Sequence, residues 1–355
     1  MRGSGTRLEN KNEKLSLILP SDFPQRFCTG ECGGPYNVTA KCQCGDACPF
    51  FGNCCPDYIS ICNDNKPFSC SSSCKSTSKN IFSCEQCMFH SDTCVTDDEL
   101  HSVTSSLWEY RSFVANDLDI QVDKDGDKYF LYVNDRVSNH EGFVQLSSIF
   151  DNYEQDWETK EPYEYSERKE EVRLINYFVQ SKIGNIVYKF LRKKGLAGCG
   201  YKWEFRHLLR RMWSFKFKRH GMLEKGSNGL ENVFVGETHN GAGIGLNNWY
   251  RVYQLEKFGE IKLQTINNTE SRQRFQRLKY DWNGATGVTS IFVGASPEWE
   301  FAIYTLCHLT RSDRSCWITA KDQDGKPFKV EIKSEYMYHV NMNNELSHVS
   351  NVFVF

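Results

Sequence analysis

Long hydrophobic runs are missing from this sequence. No stretch approaches the roughly 20 apolar residues of a membrane-spanning helix, so no membrane span is predicted. The apolar stretch at residues 15–20 is too short for the core of a signal peptide. Residues 1–27 are polar and are predicted to be a disordered lead-in. The many cysteines of this sequence, described below, indicate an oxidising compartment. We therefore expect a signal segment, which the N-terminus of this sequence does not show.

The chain also lacks an excess of either charge. Its 43 Lys and Arg residues are matched by 45 Asp and Glu, which leaves a net charge of −2 over 355 residues. Overall charge therefore gives no argument for binding to nucleic acid or to a membrane surface. Aromatic residues make up 14% of the chain, which predicts a well-packed core.

Cysteine is scarce over most of the chain and concentrated at one end. Thirteen of the 16 cysteines lie between Cys28 and Cys94. Such a density predicts a disulfide framework, and hence a secreted or extracellular protein. A zinc site is disfavoured, because residues 28–62 contain no histidine and the adjacent Cys54 and Cys55 do not suit tetrahedral ligation.

Three motifs among the first cysteines, CTGECGG, CQCGDAC and GNCCPDY, identify a known module. Residues 28–62 resemble a somatomedin B domain, and residues 63–96 resemble a degenerate second copy. The resemblance implies binding to an extracellular protein partner through residues 28–62, and a stable spacer is the alternative. The cysteines predicted to form disulfides in this module are Cys28, Cys32, Cys42, Cys44, Cys48, Cys54, Cys55 and Cys62. The sequence does not determine which of them pair.

Hydrophobic periodicity predicts an α+β domain over residues 97–355, with helices mainly first and an antiparallel sheet after them. Cys307 and Cys316 flank a short charged loop and are predicted to form a disulfide. Predicted helices begin near residue 97 and cover 172–191, 203–217 and 297–309. Predicted strands cover 261–265, 289–294, 316–320, 328–332 and 352–355.

Residues 229–259 hold the candidate site. They read GLENVFVGETHNGAGIGLNNWYRVYQLEKFG. The apolar run at 233–235 predicts a strand, the glycines after it predict a tight loop, and an amphipathic element follows from Trp249. Loops of this kind on a rigid scaffold commonly carry binding and catalytic residues.

Motifs spread over residues 97–355 resemble the EndoU endoribonuclease family. They are LHSVTSSLWEY, FDNYEQ, ENVFVGE, GLNNWYRVYQLEKFGE, YDWNG and SIFVGASPEWEFAIYTLC, in the family's order. The resemblance implies cleavage of RNA after uridylates to give 2′,3′-cyclic phosphate and 5′-hydroxyl ends, with manganese as an assisting ion in many members. No cofactor is expected to be required for RNA binding itself.

The family's catalytic positions are substituted in this chain. Asn232 stands where the family has its first histidine and Asn247 where it has the second, and no lysine follows Trp-Asn-Gly. An asparagine amide does not exchange protons usefully near pH 7, so the sequence predicts lost or strongly reduced cleavage. His239, in the loop between the two asparagines, is the candidate for a substitute base. The alternatives are a working manganese-assisted endoribonuclease and an interaction protein that acts through its somatomedin B module.

A basic run gives the candidate RNA contacts. Residues 182–219 contain twelve Lys or Arg and a single acid, with aromatics between them. This composition suits a phosphate backbone with stacked bases, although two amphipathic helices with basic outer faces would read the same way. The family resemblance implies that the bound RNA is single-stranded and U-rich. The predicted RNA-binding residues are Lys193, Lys194, Arg210, Arg211, Lys216 and Lys218, with Trp249 and Tyr336 as aromatic partners.

Overall fold

The structure is a computed structural model that describes residues 95–116, 118–160, 164–197, 201–217, 226–266, 274–312, 314–321, 325–341 and 344–355. Within residues 336–347 it describes only the backbone. The predicted somatomedin B module at 28–62, with all its cysteines, therefore lies outside the described residues. No helix in the described ranges is long and apolar enough to span a membrane.

Helices form most of the first half of the described chain. The first begins where predicted, because the Thr96 hydroxyl and the Glu99 carboxylate form a capping box and Asp97 and Asp98 favour the positive end of the helix dipole. The helices are α1 Asp97–Glu109, α2 Asp135–Ser138, α3 Glu141–Ser147, α4 Tyr165–Gln180, α5 Lys182–Lys193, α6 Lys202–Ser214, α7 Trp249–Lys257 and α8 Pro297–Arg311.

The single helix predicted over 172–191 is wrong, because Ser181 separates α4 from α5. Ser181 has extended backbone angles, and its hydroxyl accepts a hydrogen bond from the Gly184 amide at 2.9 Å as an N-cap. A Cβ on Gly184 would lie 1.9 Å from the carbonyl oxygen of Phe178, so the close turn requires glycine. The apolar residues keep the same helical spacing through both helices, so the sequence pattern does not show the break between α4 and α5.

Ten strands are found in the described part of the domain. They are β1 Ile120–Val122, β2 Phe130–Val133, β3 Glu237–His239, β4 Ala242–Ile244, β5 Ile261–Thr265, β6 Phe275–Trp282, β7 Ala285–Phe292, β8 Ser315–Lys321, β9 Pro327–Asn341 and β10 Asn344–Val354. The α+β prediction is confirmed, but the strands form two larger sheets and one small hairpin. The sheet orders are β3-β4-β7-β6-β5, β10-β9-β8 and β1-β2. Among these described strands, β4 and β7 pair in parallel and the other pairs are antiparallel.

Helix α8 runs through the middle of the core. Every residue from Pro297 to Thr310 is buried, and the predicted Cys307–Cys316 disulfide joins this helix to β8. Two carboxylates inside it find partners: Glu298 accepts from the Ser112 amide, and Glu300 accepts from the Asn248 side chain at 2.6 Å. Burial raises the pKa of Glu300 well above its usual value.

His308, near the end of α8, gives a pH-dependent contribution to stability. It is buried, and its Nδ1 lies 2.8 Å from the Ser334 hydroxyl. Burial, with a smaller effect from His348, lowers its pKa to about 3. The unfolded chain binds a proton near pH 6.5, so between pH 6.5 and 3 the unfolded state binds more protons. This group therefore lowers the free energy of unfolding by about 1.4 kcal/mol per unit of acidification.

The measurement is urea unfolding at pH 7 and pH 5 for the unmodified protein and for His308→Gln. Burial raises the pKa of Glu171 and Glu300, which act in the opposite sense, so the difference in slope between the two proteins isolates His308. We expect the variant to lose less stability on acidification. Equal slopes would contradict the assignment.

Candidate functional site

The candidate site begins at a π-helical turn, Glu231–Val235, and not at the predicted strand. All five of its residues are buried. A short, fully buried apolar run has no alternation of exposed and buried positions, so its sequence does not distinguish a strand from a helical turn. The turn ends at Gly236, with φ of 90°, whose amide donates to the Glu231 carbonyl at 2.8 Å.

The fold brings the main chain around Asn232 and the main chain around Asn247 together. The Leu246 amide donates to the carbonyl of Asn232 at 2.9 Å, and the Asn247 amide donates to the carbonyl of Val233 at 2.7 Å. Gly245 makes this approach sterically feasible, because a Cβ there would lie 1.8 Å from the Asn232 carbonyl oxygen. Its φ of 71° also favours glycine.

Asn232 is completely buried beside a carboxylate. Its Nδ2 donates to Glu237 Oε2 at 2.7 Å. Its Oδ1 is buried and has no hydrogen-bond partner among the described residues. The amide therefore holds Glu237 in place and cannot itself take or give a proton.

Asn247 is 4% exposed and is fixed on both sides of its amide. Its Nδ2 donates to the Val352 carbonyl in β10 at 2.6 Å, and its Oδ1 accepts from the Thr289 hydroxyl at 3.4 Å. The Tyr304 hydroxyl donates to its main-chain carbonyl at 3.1 Å. The site thus joins the turn, β7, β10 and α8.

His239 lies on β3, two residues beyond Glu237. Residues two apart on a strand share a face, so His239 follows the carboxylate that contacts Asn232. Its ring lies against Trp157, with centroids 4.4 Å apart, and its Nδ1 is 3.0 Å from Glu158 Oε1. Its Nε2 lies 2.8 Å from the side-chain nitrogen Nδ2 of Asn240. The side chain is 22% exposed, so solvent reaches it.

Comparison with known proteins identifies the domain. The family model "Endoribonuclease XendoU" matches residues 95–349, and the "Somatomedin B domain" model matches residues 26–65. The chain belongs to the XendoU (EndoU) endoribonuclease family. It also carries an N-terminal somatomedin B domain, so both resemblances found in the sequence are confirmed.

The relatives and a solved structure agree with this family membership. This chain is similar to proteins named uridylate-specific endoribonuclease from Mus musculus (28% identity over 82% of this chain and 70% of the relative) and Homo sapiens (28%, 82% and 70%). Uridylate-specific endoribonuclease B of Danio rerio is 32% identical over 60% of this chain and 84% of its own length. The fold matches the structure of XendoU, a splicing-independent snoRNA-processing endoribonuclease, with a TM-score of 0.60 and 21% identity over 72% of this chain and 96% of that one.

The EndoU family implies manganese, and the described residues do not fit such a site. In the described ranges no group of three or more His, Cys, Asp or Glu side chains is arranged to hold a metal ion. Glu237, the carboxylate nearest Asn232, already accepts a hydrogen bond from it.

The predicted RNA contacts of this EndoU domain separate into different groups. Trp249 is wrong as a stacking partner, because it is completely buried and its indole donates to the Ala295 carbonyl at 2.8 Å. Lys194 forms an ion pair with Glu99 in α1. Lys193 is exposed at the end of α5. Lys218 and the side chain of Tyr336 lie outside the described residues.

Arg210, Arg211 and Lys216 are only partly exposed. Arg210 and Lys216 lie near the carboxyl of Glu171. Burial raises the pKa of this carboxyl, and the two cations partly offset the shift. A further group of basic side chains lies between α5 and α6. There burial and the neighbouring charges of Arg206 and Lys189 lower the pKa of Lys202. These residues were not singled out from the sequence, because their grouping depends on how the two helices pack.

Two residues of the EndoU site were missed in the sequence. Glu237 stands inside the quoted motif ENVFVGE, and Asn248 stands beside Asn247. Asn248 caps α7 by accepting from the Arg251 amide, and its Nδ2 donates to Glu300 in α8. Both residues lie in motifs of the family resemblance, but their roles depend on contacts between segments distant in sequence.

Proposed function

We propose that this protein is an extracellular EndoU-family protein that binds single-stranded, U-rich RNA and has lost, or strongly reduced, the ability to cleave it. The observation that carries the proposal is the state of Asn232 and Asn247. Both amides are buried and held by hydrogen bonds at positions where the family places its two histidines. The somatomedin B match and the Cys307–Cys316 disulfide support the extracellular setting.

Cleavage to a cyclic phosphate needs proton transfer at two oxygens. A base must take the proton of the 2′-hydroxyl, and an acid must protonate the leaving 5′-oxygen. Each role is worth roughly 10²- to 10⁴-fold in rate, and an amide supplies neither. The two asparagines preserve hydrogen bonding and close packing, which supports a retained binding site without proton transfer.

The test uses the full-length protein and a fluorescent oligouridylate, with and without manganese. We expect binding that weakens as salt concentration rises, because phosphate contacts release counterions. We also expect no 2′,3′-cyclic phosphate ends above the level of a no-protein control. Rapid turnover would contradict the loss of cleavage, and the absence of any binding would contradict the RNA-binding proposal.

A residual endoribonuclease built on His239 is the second candidate. The observation that favours it is a partly exposed imidazole whose Nδ1 lies 3.0 Å from Glu158 Oε1, on the face of β3 that carries Glu237. If turnover is found, His239→Ala should abolish it. The matched control is His101→Ala in α1, whose imidazole lies 3.1 Å from the Thr319 hydroxyl on another sheet. Equal activity in both variants would exclude His239 as the base.

An extracellular protein partner for the somatomedin B domain is the third candidate. The match over residues 26–65 supports it. Comparing the full chain with a variant that lacks residues 26–65 for binding to cells or extracted matrix would test it. Unchanged binding would exclude this role.

A further inference from the structure

Among the side chains that the structure describes, three exposed aromatics lie on the outer face of the three-stranded sheet. Trp317 in β8 is 44% exposed, Phe353 in β10 is 38% exposed, and Phe355 just after β10 is 39% exposed. Their neighbours Cys316, Ile318 and Val352 are buried on the opposite face. We call Trp317, Phe353 and Phe355 the aromatic face.

Strand register places charged residues of β9 between these aromatics. Trp317 pairs with Glu331, and Phe355 exchanges two backbone hydrogen bonds with the same Glu331, at 2.8 and 3.2 Å. Lys333 pairs with Ser315 on one side and with Phe353 on the other. The aromatic residues therefore flank a charged central strand on both sides.

The cations lie close to the rings. Lys333 Nζ is 5.2 Å and Arg277 Cζ is 5.9 Å from the ring centroid of Phe355. Phe353 and Phe355 are stacked at 28° with centroids 6.4 Å apart. Lys329, one position further along this side of β9, is also exposed.

The acidic residues of this surface are fewer and partly neutralised. Glu331 accepts a hydrogen bond from the Ser315 hydroxyl, and its Oε1 is 3.4 Å from Lys333 Nζ. Glu335 is exposed further along β9, next to Asn351 in the register. Among the described side chains around the aromatic face, three cations stand against two carboxylates, and one of those carboxylates, Glu331, is already paired with Lys333.

We propose that the aromatic face is a stacking surface for the bases of single-stranded RNA, with Arg277, Lys329 and Lys333 contacting the phosphates. Exposed aromatics on an open sheet stack bases with little regard to sequence, and nearby cations follow the backbone. This inference rests on the proposed RNA binding and locates a second contact surface for it. A protein-docking patch would favour contiguous apolar area, whereas here charged side chains separate Trp317 from the two phenylalanines.

The surface is separate from the asparagine site. Val352, on the buried side of β10, accepts the hydrogen bond from Asn247, while the next residue, Phe353, belongs to the aromatic face. The side chains of Val352 and Phe353 lie on opposite faces of the strand, and Asn247 contacts only the main-chain carbonyl of Val352. Substitutions in the aromatic face can be made without removing a side chain that contacts the asparagines.

The test measures the affinity of the full-length protein for fluorescent oligouridylate and oligoadenylate. We expect Trp317→Ala and Phe353→Ala each to weaken binding of both probes about 5-fold or more. The control is Phe258→Ala, which removes a ring that is 69% exposed beyond α7. Trp317→Phe should retain affinity, because its ring still stacks, while the RNA-induced quenching of tryptophan fluorescence becomes smaller.

The outcomes separate this inference from the proposed function. If the unmodified protein binds neither probe, the proposed RNA binding fails, and the aromatic face as an RNA surface fails with it. If the unmodified protein binds but the alanine variants match Phe258→Ala, the stacking surface is overturned and RNA binding stands. That second result would leave the aromatic face to a protein partner.

Discussion

The double variant Asn232→His/Asn247→His is expected to cleave oligouridylate at least about 100-fold faster than the unmodified protein, since each restored proton-transfer role is worth roughly 10²- to 10⁴-fold. The carboxylate that now accepts from Asn232, Glu237 Oε2, would accept from an imidazole N–H at the same position and orient the ring. Each single variant should gain little, because acid and base act together and their effects do not add.

The signature of restored chemistry is the pH dependence of the rate. Two imidazoles acting as base and acid should give a bell-shaped profile near neutral pH. Without a lysine after Trp282-Asn283-Gly284 the charged intermediate lacks a cation, so the rate should stay below that of a complete His/His/Lys site. Adding Glu237→Gln to the double variant should remove much of the gain. A folded double variant without any added cleavage would show that other losses dominate.

Several elements followed from local patterns in the sequence. The acidic residues Asp97, Asp98 and Glu99 predict where α1 begins, and the Ser-Pro-Glu start of α8 is equally local. Strand β5 has the predicted bounds, Ile261–Thr265. Each of these signals lies within a few residues of the structure that it specifies, so no tertiary information is needed to read it.

The errors arise where tertiary packing decides the structure. Strand β6 was not predicted, because Gln276 is buried while Lys279 and Asp281 alternate outward, so its polar and apolar residues do not separate cleanly. Trp249 was predicted as an aromatic partner of RNA, which requires an accessible ring. The tertiary fold instead buries it and pairs its indole with Ala295, 46 residues away.

The candidate site was found in the sequence as two positions, and its chemistry became clear only from contacts. Asn232 and Asn247 were identified through the family resemblance, but nothing local indicates that one amide contacts Glu237 and the other contacts β10. The contact to Val352 spans 105 residues. Hydrogen bonds between distant segments depend on strand register, which the sequence pattern sets only coarsely.

Gly245→Ala is expected to lower the free energy of unfolding by about 3 kcal/mol or more and to abolish oligouridylate binding at the asparagine site. The added methyl group would lie 1.8 Å from the backbone carbonyl of Asn232, which cannot rotate away, so the two segments must separate.

The matched control is Gly241→Ala. Gly241 has a similar φ of 76°, but a Cβ added there would have no heavy atom within 4 Å. Only the strain of a left-handed alanine, about 1 kcal/mol, is therefore expected for this variant. Urea unfolding and oligouridylate titration of both variants measure the difference. Equal destabilisation would mean that backbone strain alone, and not the approach to Asn232, requires glycine at position 245.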